Sequence, residues 1–166
     1  MKKQKSMGNK GFSLVELIIV IAILAILVGV LAPNLLRYVE KTNVSADTQL
    51  ADSVKTAITT AMMDPAVINA TDNSASTFVT AHSTYASIDG NLAGEMFNSV
   101  KETMGSSAAT AADLKTELIG KLKSAHAAGA DIQVQIVGSN AVQVKITGTD
   151  AAAKKDTAGG TPIEVK

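Results

Sequence analysis

A single carboxylate, Glu16, stands at the start of a long apolar segment of this chain. The sixteen residues 17–32 that follow it are all apolar, and Pro33 ends the run. An ionisable side chain in a segment of membrane length is costly in lipid, so it marks a functional site by default. Because a carboxylate away from water needs a partner, the chemistry to expect of Glu16 is pairing with a positive group.

The charges of the chain are unevenly placed. Residues 1–11 carry four lysines and no acid, whereas residues 12–166 carry 11 Lys and Arg against 15 Asp and Glu. The larger part of the chain therefore has a net charge of −4, which does not favour direct binding of nucleic acid. The absence of Cys excludes a disulfide.

A basic leader followed by an apolar run is typical of a targeting signal. An ordinary secretory signal would have an apolar region of about 7–15 residues and a cleavage site of small residues, which 30–32 superficially resemble. Pro33 would then directly follow the cut, and Glu16 would lie inside the apolar region. Both features argue against a secretory signal.

A membrane anchor is the second interpretation of the same segment. Residues 14–32 approach the length of about 20 apolar residues that a spanning helix needs. The leader lysines favour a cytoplasmic N-terminus, because positive charges are enriched on the cytoplasmic side. The rest of the chain is then expected outside the cytoplasmic membrane.

The stretch Gly11-Phe12-Ser13-Leu14-Val15-Glu16, behind clustered lysines, resembles the class III signal of the type IV pilin family. The resemblance implies that a prepilin peptidase cuts after Gly11 and that Phe12 becomes an N-methylated N-terminus. It also implies polymerisation through the apolar helix, with Glu16 paired to the Phe12 amine of a neighbouring subunit. The resemblance is specific over residues 8–40 and rests on element order beyond them.

Two positions bear on the shape of the apolar helix. Pro33 removes a backbone hydrogen bond and is expected to kink the helix, and Gly29 loosens the same turn. Members of the family commonly have a glycine where this chain has Ala25, and many from Gram-negative bacteria carry a C-terminal disulfide loop that this chain cannot form.

Hydrophobic periodicity predicts one long helix over about residues 13–63. Its second half is amphipathic, with an apolar stripe and polar residues such as Asp47 and Asp52 between the stripe positions. Asp64-Pro65 is a natural stop, because proline disfavours helix in the preceding residue. The stripe comprises Ala46, Leu50, Val54, Ile58 and Met62, with Ala57 and Ala61 alongside.

The later part of the chain predicts a small mixed domain. Residues 66–90 have the composition of a loop with one short helix or strand. Residues 91–104 and 111–128 show helical spacing. Residues 131–147 alternate twice around a turn, which predicts a β-hairpin, and residues 161–166 could add a third strand.

Together these features predict an α+β, type IV pilin-like fold: one long N-terminal helix packed on a small antiparallel β-sheet, with additional short helices. We divide the chain into a leader peptide (1–11), a transmembrane and polymerisation half of the helix (12–33), an amphipathic half (34–64) and a globular head (65–166).

No set of residues in the sequence supports catalysis, a cofactor or a metal. His82 and His126 lack metal-like partners nearby in sequence, so a surface or hydrogen-bonded histidine is expected at each. Asp150 and Asp156 flank a polar stretch, for which calcium is a minor hypothesis. There is no nucleophile motif and no phosphate-binding glycine loop.

The sequence therefore predicts a structural protein, the subunit of a type IV pilus-like filament. Its expected partners are copies of itself or other pilins, the prepilin peptidase and N-methyltransferase, an inner-membrane assembly platform, and lipid before assembly. Three alternatives remain open. The chain could be a pseudopilin of a type II secretion or DNA-uptake machine, which carries the same signal, an enzyme or binding domain anchored by the helix, or an ordinary secreted protein.

Overall fold

The computed structural model describes residues 13–124, 129–138, 141–148 and 163–166. The chain divides into two compact units, Met1–Tyr38 and Val39–Lys166, and each is described by itself. The elements in chain order are α1 (Leu14–Met63), α2 (Pro65–Ile68), α3 (Ser74–Ala81), β1 (Ala86–Ser87), α4 (Gly94–Thr103), α5 (Ala111–Gly120), β2 (Asp131–Val137), β3 (Ala141–Thr147) and β4 (Ile163–Val165).

Helix α1 confirms the long helix predicted from periodicity, and it ends where the proline signal places the stop. Asp64 is extended, as the residue before a proline should be. Its side chain accepts a hydrogen bond from the backbone N–H of Ala66, and Pro65 occupies the first turn of α2. The same dipeptide therefore ends one helix and begins the next.

The buried face of α1 lies slightly to one side of the predicted stripe. Val54, Ile58 and the alanines next to them are fully buried, whereas Ala46 and Leu50 are only half-buried. The small alanine side chains allow close approach of the neighbouring backbone. The buried residues of α1 are Asp47, Ala51, Val54, Ala57, Ile58 and Ala61.

The four strands form one antiparallel sheet in the order β1-β2-β3-β4. Strands β2 and β3 pair over their whole length, with Ile132 opposite Ile146 and Val134 opposite Val144, which confirms the predicted hairpin. The alternating apolar residues on one face of the hairpin, from Ile132 to Ile136 and from Val142 to Ile146, are buried, and the residues between them are more exposed. The sheet and α1 contribute to the same hydrophobic core, so the fold is α+β as predicted.

The strand considered for residues 161–166 is present as β4, which pairs with β3. Strand β1 pairs with β2 and has only two residues, too few for alternation to be visible in the sequence. The assignment of residues 66–90 mainly to a loop was wrong, since this stretch holds α2, α3 and β1. Its Ala, Ser and Thr residues resemble loop composition, but Phe78 between them is buried in the core.

The helix predicted over residues 111–128 is also corrected, because α5 ends at Gly120 and residues 121–124 are not helical. The cause is Asp47 of α1. Its carboxylate oxygens accept hydrogen bonds from the backbone N–H of Lys123 at 2.8 Å and of Ser124 at 2.9 Å. Those N–H groups would otherwise continue the helical ladder.

The sequence analysis placed Asp47 among the polar residues between the positions of the apolar stripe. In the structure Asp47 is buried, with 1% of its surface exposed. Removing it in Asp47→Ala leaves two backbone N–H groups buried without their acceptor. We expect the free energy of unfolding of the head to fall by about 3 kcal/mol, because hydrogen bonds to charged groups contribute roughly 1.5–3 kcal/mol each. Asp52→Ala, at an exposed position of the same helix, is the control and should change stability by less than about 0.5 kcal/mol. Equal midpoints of chemical denaturation for both variants would contradict this account.

Helix α4 begins at Gly94, later than the predicted residue 91, because the chain turns sharply before it. Asn91 and Gly94 both have positive φ angles, of 56° and 55°. The Asp72 carboxylate lies against this turn and accepts hydrogen bonds from the backbone N–H of Ser74 at 2.9 Å and of Glu95 at 3.1 Å. These two donors, Ser74 first, hold the pKa of Asp72 below its usual value.

Gly94 has no room for a side chain, since a Cβ there would lie within the van der Waals radius of the Asp72 carboxylate. Gly94→Ala should therefore destabilise the head by about 2–4 kcal/mol, through the positive φ and the displaced carboxylate together. Gly105→Ala is a matched control, because Gly105 also has a positive φ but no atom within 4 Å of the added Cβ. Denaturation midpoints should show the larger loss at Gly94, and equal losses would exclude a role for the Asp72 contact.

Candidate assembly segment

The beginning of α1 is stabilised by its own side chains. The backbone N–H of Ser13 donates to Glu16 Oε2 at 2.8 Å, and the N–H of Val15 donates to Ser13 Oγ at 3.3 Å. The first turn then closes with the N–H of Leu17 on the Ser13 carbonyl at 3.2 Å. The bond from Ser13 to Glu16 is one half of a capping box, and Ser13 Oγ caps the N–H two residues on instead of the N–H three residues on. Together the two side chains satisfy N–H groups that the helix leaves unpaired.

The capping role of Glu16 was missed in the sequence, although the signal for it was visible. Ser13 and Glu16 stand in the Ser-x-x-Glu spacing directly before an apolar run. A carboxylate in the first turn also interacts favourably with the positive end of the helix dipole. Glu16 therefore has a local structural role in addition to the charge that drew attention to it.

The other predicted site residues are placed in two groups. Gly11 and Phe12, the expected cleavage and methylation positions, lie outside the described residues. Gly29 and Pro33 lie inside α1, and the structure brings neither of them to Glu16.

Helix α1 continues through Pro33. Because proline has no N–H, the carbonyl of Gly29 loses the donor it would have in an uninterrupted helix. One residue further along, Asn34 Nδ2 donates to the Val30 carbonyl at 3.3 Å, so a side chain adds a donor to this turn. The kink at Pro33 and Gly29 remains a prediction.

The apolar residues of this segment are all exposed. From Leu14 to Leu36, the large apolar side chains keep 50% or more of their surface accessible, and no residue from 13 to 38 is buried. Among the described residues, α1 alone is long and apolar enough to cross a membrane, with a mean hydropathy of 3.2 over its most apolar window. Such a surface requires an apolar environment, which lipid or other protein must supply.

Glu16 is the only charged residue between Lys10 and Arg37. A carboxylate has several lone-pair positions, so the bond from Ser13 leaves capacity for further donors. The segment therefore combines an exposed apolar helix with one fixed negative charge at its N-terminal end. Its apolar side chains can insert into an apolar phase, and its carboxylate can bind a cationic group at a fixed position along the helix axis.

The second unit also contains a polar cluster around Lys115, separate from the Asp47 and Asp72 sites. Lys115 Nζ lies 2.9 Å from Asp131 Oδ1, 3.4 Å from Asp89 Oδ1 and 2.8 Å from Ser87 Oγ. The bond to Asp131 raises the pKa of Lys115 above its usual value, against the effect of burial. Burial pushes the pKa of Asp89 upward, but the Ser87 hydroxyl and Lys115 outweigh it and the net pKa is lowered. The cluster joins α5 to β2 and is structural.

Nothing in the part of the chain that the structure describes groups three or more His, Asp or Glu side chains as a metal site would. His82 is buried and hydrogen-bonded, one of the two environments expected for it. His126 and the calcium hypothesis at Asp150 and Asp156 lie outside the described residues.

Comparisons with known proteins match the same end of the chain. Residues 6–32 match a family model described as the prokaryotic N-terminal methylation motif. A fimbrial protein of Moraxella nonliquefaciens is 47% identical over 53 residues, which are 32% of this chain and 34% of the relative. The chain thus spans about a third of the length of this relative. No solved structure matches the chain significantly.

Proposed function

We propose that the chain is a structural subunit of a type IV pilus-like filament, and the two matches at its N-terminal end support this proposal. The observation that carries the proposal is the exposed apolar segment of α1, which has Glu16 in its first turn and lies within the residues that match the methylation motif. We assign the protein no enzymatic activity, because the chemistry at its N-terminus is carried out by other proteins.

Processing is the first step of the proposed function. A prepilin peptidase cuts the bond between Gly11 and Phe12, and the new N-terminus at Phe12 is methylated. The support is the match of residues 6–32 to the methylation motif. Cleavage removes the lysine-rich leader and leaves a new amine four residues before Glu16.

Before assembly, the subunit lies in the cytoplasmic membrane as a single-pass protein. The leader lysines favour a cytoplasmic N-terminus, and the second unit is then outside. An inner-membrane assembly platform moves the subunit from lipid into the filament, at the cell surface. The exposed apolar side chains then exchange contacts with lipid for contacts with other subunits.

Glu16 sets the axial position of each subunit in this proposal. Helices packed side by side exclude water, and an unpaired carboxylate among them is costly. The Phe12 amine of a neighbouring subunit neutralises it. Two unit charges about 4 Å apart attract by roughly 4 kcal/mol at an effective dielectric constant near 20, before desolvation is subtracted. Apolar packing supplies most of the cohesion, and the charge pair selects the register.

The cleavage site is tested by Gly11→Val. A side chain at this position should block the peptidase, so the protein should accumulate with its leader attached. Gly8→Val, within the same leader, is the control and should be cut normally. Mass spectrometry of the membrane fraction should find a mature N-terminus at Phe12 in the control and in the unaltered protein. A mature N-terminus at Pro33 would overturn the assignment.

The assembly role is tested by Glu16→Gln. Glutamine serves at this position of a capping box as glutamate does, so the helix start is preserved while the charge is removed. We expect a mature, membrane-inserted subunit at normal level and at least a tenfold loss of filaments. Glu16→Ala should give the same loss, and Asp52→Asn, on the exposed face of α1, should assemble normally. Filament yield is measured against the membrane-bound mature subunit in strains where the variant is the sole subunit.

Normal filaments from Glu16→Gln would refute the charge pairing. Loss of the membrane-bound subunit would instead show that Glu16 acts in insertion or stability.

A further inference from the structure

The exposed apolar segment of α1 is followed by two residues whose types are rare in this chain. Arg37 is the only arginine, since every other basic residue is a lysine, and Tyr38 is one of two tyrosines. Both come directly after Leu36, and both are exposed, Tyr38 with 68% of its surface. The proposed processing and assembly steps use neither residue.

The spacing of Glu16 and Arg37 along α1 matches the apolar thickness of a bilayer. The sequence between them contains no ionisable residue, and the helix runs through the whole stretch. At about 1.5 Å per residue, the rise from Glu16 to Arg37 is about 32 Å. The hydrocarbon core of a typical bilayer is about 30 Å thick. A helix that spans the bilayer can therefore hold one charge at each interface, where neither is buried in lipid.

An arginine at such an interface meets the phosphate groups of the lipids. Its guanidinium is always charged, and its planar fork of N–H donors matches two oxygens of one phosphate. Its aliphatic stem can lie along the apolar surface while its charged end reaches the headgroups. Tyrosine is enriched at the same level, because its ring is apolar and its hydroxyl is polar. Lysine, the basic residue used elsewhere in the chain, offers a point charge without the fork.

We propose that Arg37 and Tyr38 form a binding site for phospholipid headgroups at the outer surface of the cytoplasmic membrane, in which the guanidinium binds a lipid phosphate. The inference rests on the proposed function, because it requires the inserted subunit. The ligand is an intact lipid, since its acyl chains cover the exposed Leu35 and Leu36 next to the site. The site fixes the depth of the helix before assembly and keeps Glu16 at the opposite interface.

The single arginine allows the contact to be measured. The full chain, labelled with carbon-13 and nitrogen-15 in arginine alone, is inserted into vesicles of phosphatidylethanolamine and phosphatidylglycerol in a buffer without phosphate. Solid-state NMR measures the dipolar coupling between the guanidinium carbon of Arg37 and phosphorus, which only the lipids supply. Paired hydrogen bonds to one phosphate place these two atoms about 4–5 Å apart, and we expect the corresponding coupling. Its absence in an inserted chain would overturn the proposal.

The control moves the arginine to another exposed position. In the double variant Arg37→Gln and Lys123→Arg, the only arginine lies just after α5. We expect the coupling to phosphorus to be lost. An equal coupling in both proteins would show general attraction of cations to the vesicles and would exclude a site at Arg37.

Flotation of the vesicles separates this inference from the proposed function on which it rests. A chain that does not float with the vesicles contradicts the proposed membrane stage, and the headgroup site with it. An inserted chain without the coupling contradicts the headgroup site alone.

The depth of Tyr38 is tested by fluorescence. The chain has no Trp and two tyrosines, so Tyr85→Phe leaves Tyr38 as its main fluorophore. The variant is inserted into vesicles whose lipids carry bromine at different depths of the acyl chain. Quenching should be strongest for bromine nearest the headgroups and should decline toward the centre of the bilayer. Quenching that is strongest at the centre, or absent at every depth, would contradict the placement of Tyr38 in the site.

Discussion

An apolar helix surface that no described residue covers is the constraint on which the rest of this protein depends. Every large apolar side chain from Leu14 to Leu36 is exposed, and no residue from 13 to 38 is buried. Apolar area in water is unfavourable roughly in proportion to its extent. The segment is therefore stable only in lipid or against other chains. In the proposed function, the subunit is transferred from the first of these environments to the second.

Inside the head, a few polar groups decide where regular elements stop. Asp47 ends α5 by taking the N–H groups of Lys123 and Ser124 from 76 and 77 residues away in sequence. Asp72 acts at helix starts instead, since it accepts hydrogen bonds from N–H groups in the first turns of α3 and α4. Asp47 satisfies donors beyond the end of a helix, and Asp72 satisfies donors that a helix leaves unpaired at its beginning. The core supplies cohesion, and these contacts fix the connections between the elements that build it.

The parts of the fold that could be predicted are those determined by local pattern. Periodicity located α1 to within a residue or two, and alternation located β2 and β3. The parts that were missed depend on distant partners. Strand β1 exists because Ala86 pairs with Val134, and α5 is short because of Asp47. No window of sequence around β1 or α5 contains that information.

The candidate site shows the same division at smaller scale. The type of residue at position 16 was sufficient to single out Glu16, because one acid in an apolar run has few explanations. The hydrogen bond that Glu16 accepts from the Ser13 N–H was not predicted, and through it the carboxylate also caps the helix. The cap holds Glu16 in the first turn, where the positive end of the helix stabilises its negative charge. A carboxylate has several lone pairs, so the capping bond and the proposed charge pair can use different ones, and the proposed assembly does not require the helix to lose its cap.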